Sequence, residues 1–260
     1  MRKFFISTLV LLFAFSAFTG CSDNPSREYD ETKDWTAQKF YQEAQEAREN
    51  ANYDAAIDYL NRLEIRFPFS AYAQQAQIEV IYLYYKNDDM VLAVAAADRF
   101  IKMNPSHPSL DYVYYIKGLA DSKTGESFIT KVIGVDRTER CQKSMRQAFY
   151  TFRDLVQKFP DSEYAEESKK RMIQLRDGLA KKEADIARFY FERDAYAAAV
   201  NRAKFAIENY PNTPYLYDAL AVLARSYHKM GMQDMVDNTV AIIKLNYPEH
   251  EVLDEIETAQ

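Results

Sequence analysis

Glycine, proline, cysteine and histidine are all scarce in this chain: 260 residues hold 6 Gly, 8 Pro, 2 Cys and 3 His. So few turn-formers leave little material for tight turns or long loops, which argues against a many-stranded fold and for an all-α one. The three histidines, His107, His228 and His250, lie far apart with no metal-ligand spacing, and no nucleophile elbow or phosphate loop occurs. Positive charge is not in excess either. The formal net charge is −6, so the basic stripe that nucleic-acid binding needs is missing. No apolar run reaches a confident membrane span, because the longest, residues 4–18, has 15 residues.

That short run follows Arg2 and Lys3, and the pair reads as the n- and h-regions of a secretory signal. The boundary Phe18-Thr19-Gly20-Cys21 resembles the bacterial lipoprotein box, with Phe18 where leucine is usual. The resemblance implies cleavage before Cys21, acylation of that cysteine, and an anchor of several acyl chains that holds far more firmly than one. Ser22, rather than aspartate, follows it and implies sorting to the outer membrane. Removing twenty residues leaves 240, takes away Arg2 and Lys3, and moves the formal charge from −6 to −8. Cys141 is then the one remaining thiol, so no intrachain disulfide can form. Residues 21–33, polar and carrying Pro25, read as an acylated cysteine and a flexible tether.

From Trp35 onward the chain repeats itself. Five prolines, Pro68, Pro105, Pro160, Pro211 and Pro248, lie 37, 55, 51 and 37 residues apart. Twelve residues before each comes Ala56, Ala93, Ala148, Ala199 or Val236. Eight before comes Leu60, Ala97, Phe152, Ala203 or Val240, and five before comes Leu63, Phe100, Leu155, Ala206 or Ile243. Two intervals approach the 34-residue tetratricopeptide period, and two carry insertions. Upstream, Ala44, Ile81, Gly118, Ala187 and Ala224 take the small-residue position at which paired helices approach. Three residues on stand Ala47, Tyr84, Asp121, Tyr190 and Tyr227, where Asp121 breaks the pattern. The expected fold is an all-α tetratricopeptide-repeat solenoid of about five helical hairpins. Its expected divisions are N-terminal repeats at 34–123, repeat three with a loop insertion and extra helix at 124–178, and C-terminal repeats with a cap at 179–260. The apolar run within 124–139 is expected to fold back on the array, and Val252, Leu253 and Ile256 to form the cap.

In such a repeat, positions 2, 5, 9 and 12 of the first helix face an inner groove. The register places Gln38, Tyr41, Gln45 and Arg48 there in repeat one, then Gln75, Ile78, Tyr82 and Tyr85 in repeat two. Repeat three offers Tyr112, Tyr115, Leu119 and Ser122. Repeats four and five offer Lys181, Ala184, Arg188 and Phe191, then Asp218, Ala221, Arg225 and His228. The first three repeats are thus expected to present a tyrosine-rich peptide groove, with inter-helix packing competing for Tyr82 and Tyr115, and the last two a basic patch.

Longer stretches carry a more specific resemblance. RFPFSAYAQQAQIEVIYLYYKNDD from Arg66, AAADRFIKMNPSHPSLDYVYYIKGL from Ala95, GVDRTER from Gly134 and FERDAYAAAVNRAKF from Phe191 resemble the BamD (ComL/YfiO) family, the lipoprotein subunit of the outer-membrane β-barrel assembly machinery. The resemblance covers the whole mature chain. It implies a non-enzymatic scaffold, without cofactor or metal, anchored by lipid on the periplasmic face of the outer membrane. Implied partners are the periplasmic domains of the barrel-forming subunit, the accessory assembly lipoproteins and unfolded outer-membrane proteins, whose terminal signal the N-terminal repeats would recognise. Arg202 stands where the family places an arginine contact to the barrel subunit, beside C-terminal repeats that carry Lys181, Arg188 and Arg225. The alternative sharing the same fold is a periplasmic adaptor for cell-wall synthesis or division.

Overall fold

The computed structural model describes residues 31–124, 137–249, 251–253 and 255. The signal, Cys21, the tether up to residue 30, most of the 124–139 insertion and Ile256 lie outside the described residues. Of the described residues, 31–36 belong to one unit, and Ala37 begins the other, which holds all ten helices assigned among them.

Those helices are α1 (Ala37–Glu49), α2 (Tyr53–Arg66), α3 (Ala73–Lys86), α4 (Met90–Met103) and α5 (Leu110–Thr124), followed by α6 (Arg137–Lys158), α7 (Ala165–Phe191), α8 (Tyr196–Asn209), α9 (Leu216–Lys229) and α10 (Gln233–Asn246). Each packs on its neighbours in the chain, and α3 also meets α5 as α7 meets α9. The unit is a tetratricopeptide-repeat solenoid of five antiparallel hairpins.

The proline-indexed register is the core. Of the fifteen residues twelve, eight and five before the prolines, fourteen are buried and Val240 is half-buried. Each large apolar side chain so placed contributes about 1.5–3 kcal/mol. The residues five before the proline also end the second helices, since the backbone N–H groups of Phe67, Asn104, Phe159, Tyr210 and Tyr247 donate to Leu63, Phe100, Leu155, Ala206 and Ile243. The proline then forces its predecessor out of helical backbone and closes the repeat.

Within four hairpins the turn has a common construction. Ala51, Asp88, Asp194 and Gly231 take positive φ, and the next N–H donates back to the carbonyl of Ala47, Tyr84, Tyr190 or Tyr227 at 2.8–3.0 Å. This is the Schellman closure of a helix C-terminus. The chain accepts left-handed backbone at three non-glycine residues to keep it, which explains how so few glycines suffice.

Repeat three differs, as Asp121 foreshadows. Lys117 on α5 donates to Asp121 at 3.3 Å and to Thr151 of α6 at 3.2 Å, and Thr151 donates to Asp121 at 2.8 Å. A buried ionic triad occupies the place of the usual tyrosine. The segment 161–178, expected to open repeat four with an extra or extended helix, forms from Ala165 the first half of the 27-residue α7. The expected division at 178/179 therefore falls inside one unbroken helix. At the C-terminus Val252 and Leu253 are buried in the cluster that holds Leu220, Val236 and Ile243.

Candidate functional site

Two cavities each take some of the residues singled out above. The first, about 570 Å³, lies against α1, α3 and α5 and is completed by the segments leading into α5 and α7. Its lining includes Arg48, Gln75, Ile78, Tyr82 and Tyr112, all five from the expected inner positions, together with Glu79, Asp111, Glu163 and Tyr164.

Glu79 organises this cavity. It is nine-tenths buried within the apolar run of α3. Its carboxylate accepts hydrogen bonds from the Tyr41 hydroxyl and from Gln45 of α1, and from Gln75 one turn before it at 3.0 Å. Arg48 lies 3.8 Å from the same carboxylate. Three of the four polar positions predicted on α1 thus converge on one acid of α3. Burial, and then the hydrogen bond to the Glu79 carboxylate, push the Tyr41 phenol up to about 12. Burial likewise raises Tyr112, helped by its neighbours Tyr82 and Tyr164.

The other three tyrosines of the expected groove do not line the cavity, and of these Tyr41 is spent on Glu79. Tyr115 is committed to packing, stacked on Tyr164 with ring centroids 4.8 Å apart and tilted against Phe152 at 6.3 Å. Tyr85 packs beside Met90, Ala93 and Ala120, with the Lys123 ammonium 4.6 Å from its ring centroid. Packing was expected to compete for Tyr82 and Tyr115; both pack on the core around Ile81 and Val113, but Tyr82 still lines the cavity and Tyr115 does not.

Removing the Tyr41 hydroxyl tests the Glu79 hub. Tyr41→Phe leaves a buried carboxylate oxygen one donor short and is expected to cost about 1 kcal/mol in urea unfolding. The folded phenol titrates above its unfolded value, so its stabilising contribution is fully present below about pH 10 and is lost as pH rises towards 12. The variant should therefore show a flatter fall of stability over that alkaline window.

The second cavity, about 840 Å³, is bounded by α6, α7 and α8. Glu183 forms its floor, essentially without exposure, accepting from Gln142 of α6 at 3.0 Å and from Arg202 of α8 at 3.4 Å. Arg202 keeps 46% of its side chain exposed while Glu183 holds it in place. Phe189 and Phe205, both exposed, and Ile186 supply the apolar wall, and Arg146 and Lys182 add positive charge.

The basic patch expected of Lys181, Arg188, Arg225 and Arg202 is not one surface. Lys181 pairs with Asp185 at 2.9 Å, and Arg188 with Asp185 at 3.6 Å and Asp218 at 3.9 Å. Arg225 donates twice to Glu255, at 2.7 Å each. None of the three lines the cavity of Arg202. The reason is helical geometry. Residues 181, 185 and 188 share one stripe of α7, whereas 182, 186 and 189 lie about 100° round the axis.

Glu79, Glu183 and Tyr164 were not singled out in the sequence. The one available signal was a glutamate interrupting an apolar run, IEVIYLYY, and Glu183 lacks even that. Among the described residues no cluster of three metal-ligating side chains occurs, and no helix is long and apolar enough to cross a membrane.

The YfiO family, described as outer membrane lipoproteins, matches residues 33–242. Outer membrane protein assembly factor BamD of Neisseria meningitidis is 38% identical over 89% of this chain and 88% of its own. The protein of that name from Vibrio cholerae is 36% identical over 92% of this chain and 98% of its own, and that of Pasteurella multocida 37% identical over 95% and 92%. Among solved structures, a tetratricopeptide protein of Thermus thermophilus overlaps 86% of this chain and 98% of its own, at a TM-score of 0.38 and 16% identity. With its five hairpins spanning the matched region, the chain belongs to the YfiO family of outer membrane lipoproteins.

Proposed function

We propose that this chain is a non-enzymatic scaffold for the assembly of outer-membrane β-barrel proteins. It is tethered to the periplasmic face of the outer membrane through acylated Cys21. The α6/α7/α8 cavity docks the periplasmic domains of the barrel-forming subunit, with accessory assembly lipoproteins as further partners. The α1/α3/α5 cavity holds the terminal signal of an unfolded barrel protein. Relatives that carry the name of assembly factor favour this reading over a cell-wall adaptor.

The observation that carries the docking half is the buried pairing of Glu183 with Arg202. A carboxylate with almost no exposure fixes a half-exposed guanidinium in a cavity that two exposed phenylalanines also line. Such a charge in company with aromatic side chains is the usual make-up of an interface hot spot. Arg202→Ala in the full-length chain, purified in detergent, should weaken binding to the barrel subunit's periplasmic domains by roughly tenfold or more. Helicity should stay unchanged. Unaltered affinity would remove Arg202, and with it this cavity, from the interface.

A further inference from the structure

We infer that the α1/α3/α5 cavity accepts one cationic side chain, lysine or arginine, from an extended segment whose neighbouring residues are aromatic or apolar. The inference rests on the reading of this cavity as a groove for a held polypeptide, and it names the chemistry that the groove selects.

Tyr82, Tyr112 and Tyr164 all belong to the lining, so the walls are partly aromatic, with Tyr164 also stacked on Tyr115. Between them the charge is negative. Glu79 lies at the floor, nine-tenths buried, with Asp111 and the exposed Glu163 toward the surface. Arg48 is the one cation among the described lining residues, and it is already turned towards Glu79. Three carboxylates against one guanidinium leave two formal negative charges around a cavity of about 570 Å³. A carboxylate entering that space meets a lining of net negative charge. A neutral amide gains nothing from the field.

A lysine or arginine side chain gains twice. Its charged head meets the acids in surroundings of lower dielectric than water, and it can lie over a tyrosine ring, an attraction of about 0.5–2 kcal/mol. Its aliphatic stem covers apolar wall on the way in. The α6/α7/α8 cavity has the opposite balance, with Arg146, Lys182 and Arg202 against Glu183 and Asp185. The two sites therefore select against each other's ligands, and one scaffold can hold two polypeptides without exchange between them.

The test uses labelled synthetic peptides Gly-Ser-Tyr-Xaa-Phe-Ser-Gly, with Xaa lysine, arginine, glutamine or glutamate. Their binding to the full-length chain in detergent is read by fluorescence anisotropy. The lysine and arginine peptides should bind roughly tenfold tighter than the glutamate peptide, with glutamine between, and the margin should shrink in high salt. Glu79→Gln should reduce the lysine-over-glutamate ratio to about threefold or less. Because Glu79 also ties α1 to α3, the exposed Glu163→Lys provides a second reading. It should lower the same ratio by about threefold with no change in melting.

A glutamate peptide that binds as tightly as the lysine peptide overturns the inference, as does a ratio untouched by both variants. Tyr82→Ala separates this failure from that of the groove itself. If all four peptides bind alike and Tyr82→Ala weakens them all, the groove stands and its charge selection falls. If Tyr82→Ala weakens none, or no peptide binds, both fall.

Discussion

Asp121→Ala is expected to lower the unfolding free energy by about 3–5 kcal/mol, because it leaves the Lys117 ammonium buried without its nearest carboxylate. Lys117 and Asp121 expose only 8% and 6% of their side chains. Asp98 also lies 3.4 Å from the ammonium, but at 61% exposure it is largely given to water and cannot replace a buried partner. The triad joins α5 to α6, the two helices on either side of the 125–136 segment. Equilibrium urea unfolding followed by circular dichroism would measure the loss, and a change below about 1 kcal/mol would show that the ammonium finds solvent without help. Replacing the whole triad, as Lys117→Met with Asp121→Leu and Thr151→Val, removes every polar atom at once and should restore near-parental stability. The pH dependence has a definite sign. Burial, outweighing Lys117 and Thr151, raises the Asp121 carboxyl above its ordinary range. Between the ordinary and the raised value the folded chain is the more protonated of the two states, and above the raised value Asp121 is the carboxylate that pairs with Lys117. The contribution of that protonation is fully present below the ordinary carboxylate range and is lost as pH rises through the raised value. Mild acidification should accordingly stabilise the parent relative to the triad-less variant.

What the sequence made legible follows from what repeats. Five prolines indexed the core because each closes a second helix on a fixed turn, so distance from the proline fixes which face a residue takes. The inner face of the first helices followed from the same count, and Arg48, Gln75, Ile78, Tyr82 and Tyr112 do meet around one cavity. Two things escaped. Spacing gives a residue's direction but not how tightly the next helix is pressed against it, and so Tyr115 was claimed by Tyr164 and Phe152. Burial of charge is equally invisible. Glu79 and Glu183 look like any helical glutamate until donors from another helix surround them, Tyr41 and Gln45 in one case and Gln142 and Arg202 in the other. Arg202 itself came from family resemblance. No count along the first helices could have reached it, because it belongs to the second helix of its hairpin.

Gly118→Ala should cost about 1–3 kcal/mol, although alanine is the better helix former and would add stability at an open position. A methyl carbon there would sit 2.6–2.8 Å from three carbons of the Phe152 ring. Such distances lie well inside van der Waals contact, so α5 and α6 must part or the ring must turn. The ring has little room to do so, since Phe152 is fully buried and touches Tyr115 on one side. Repeats two and four meet the same requirement differently. Ala97 and Ala203, small residues at the Phe152 register, face Ile81 and Ala187 at the Gly118 register. Repeat three has moved volume from the first helix to the second, and glycine is what permits it. The contact can therefore be tested by relocation. Phe152→Leu alone should destabilise by leaving a cavity, whereas Gly118→Ala combined with Phe152→Leu should lose less than the two single losses together, a coupling of about 0.5–3 kcal/mol. Strict additivity would mean that the ring and the glycine do not press on each other. In that case the reason for a glycine in the middle of α5 would have to lie outside the packing of this hairpin.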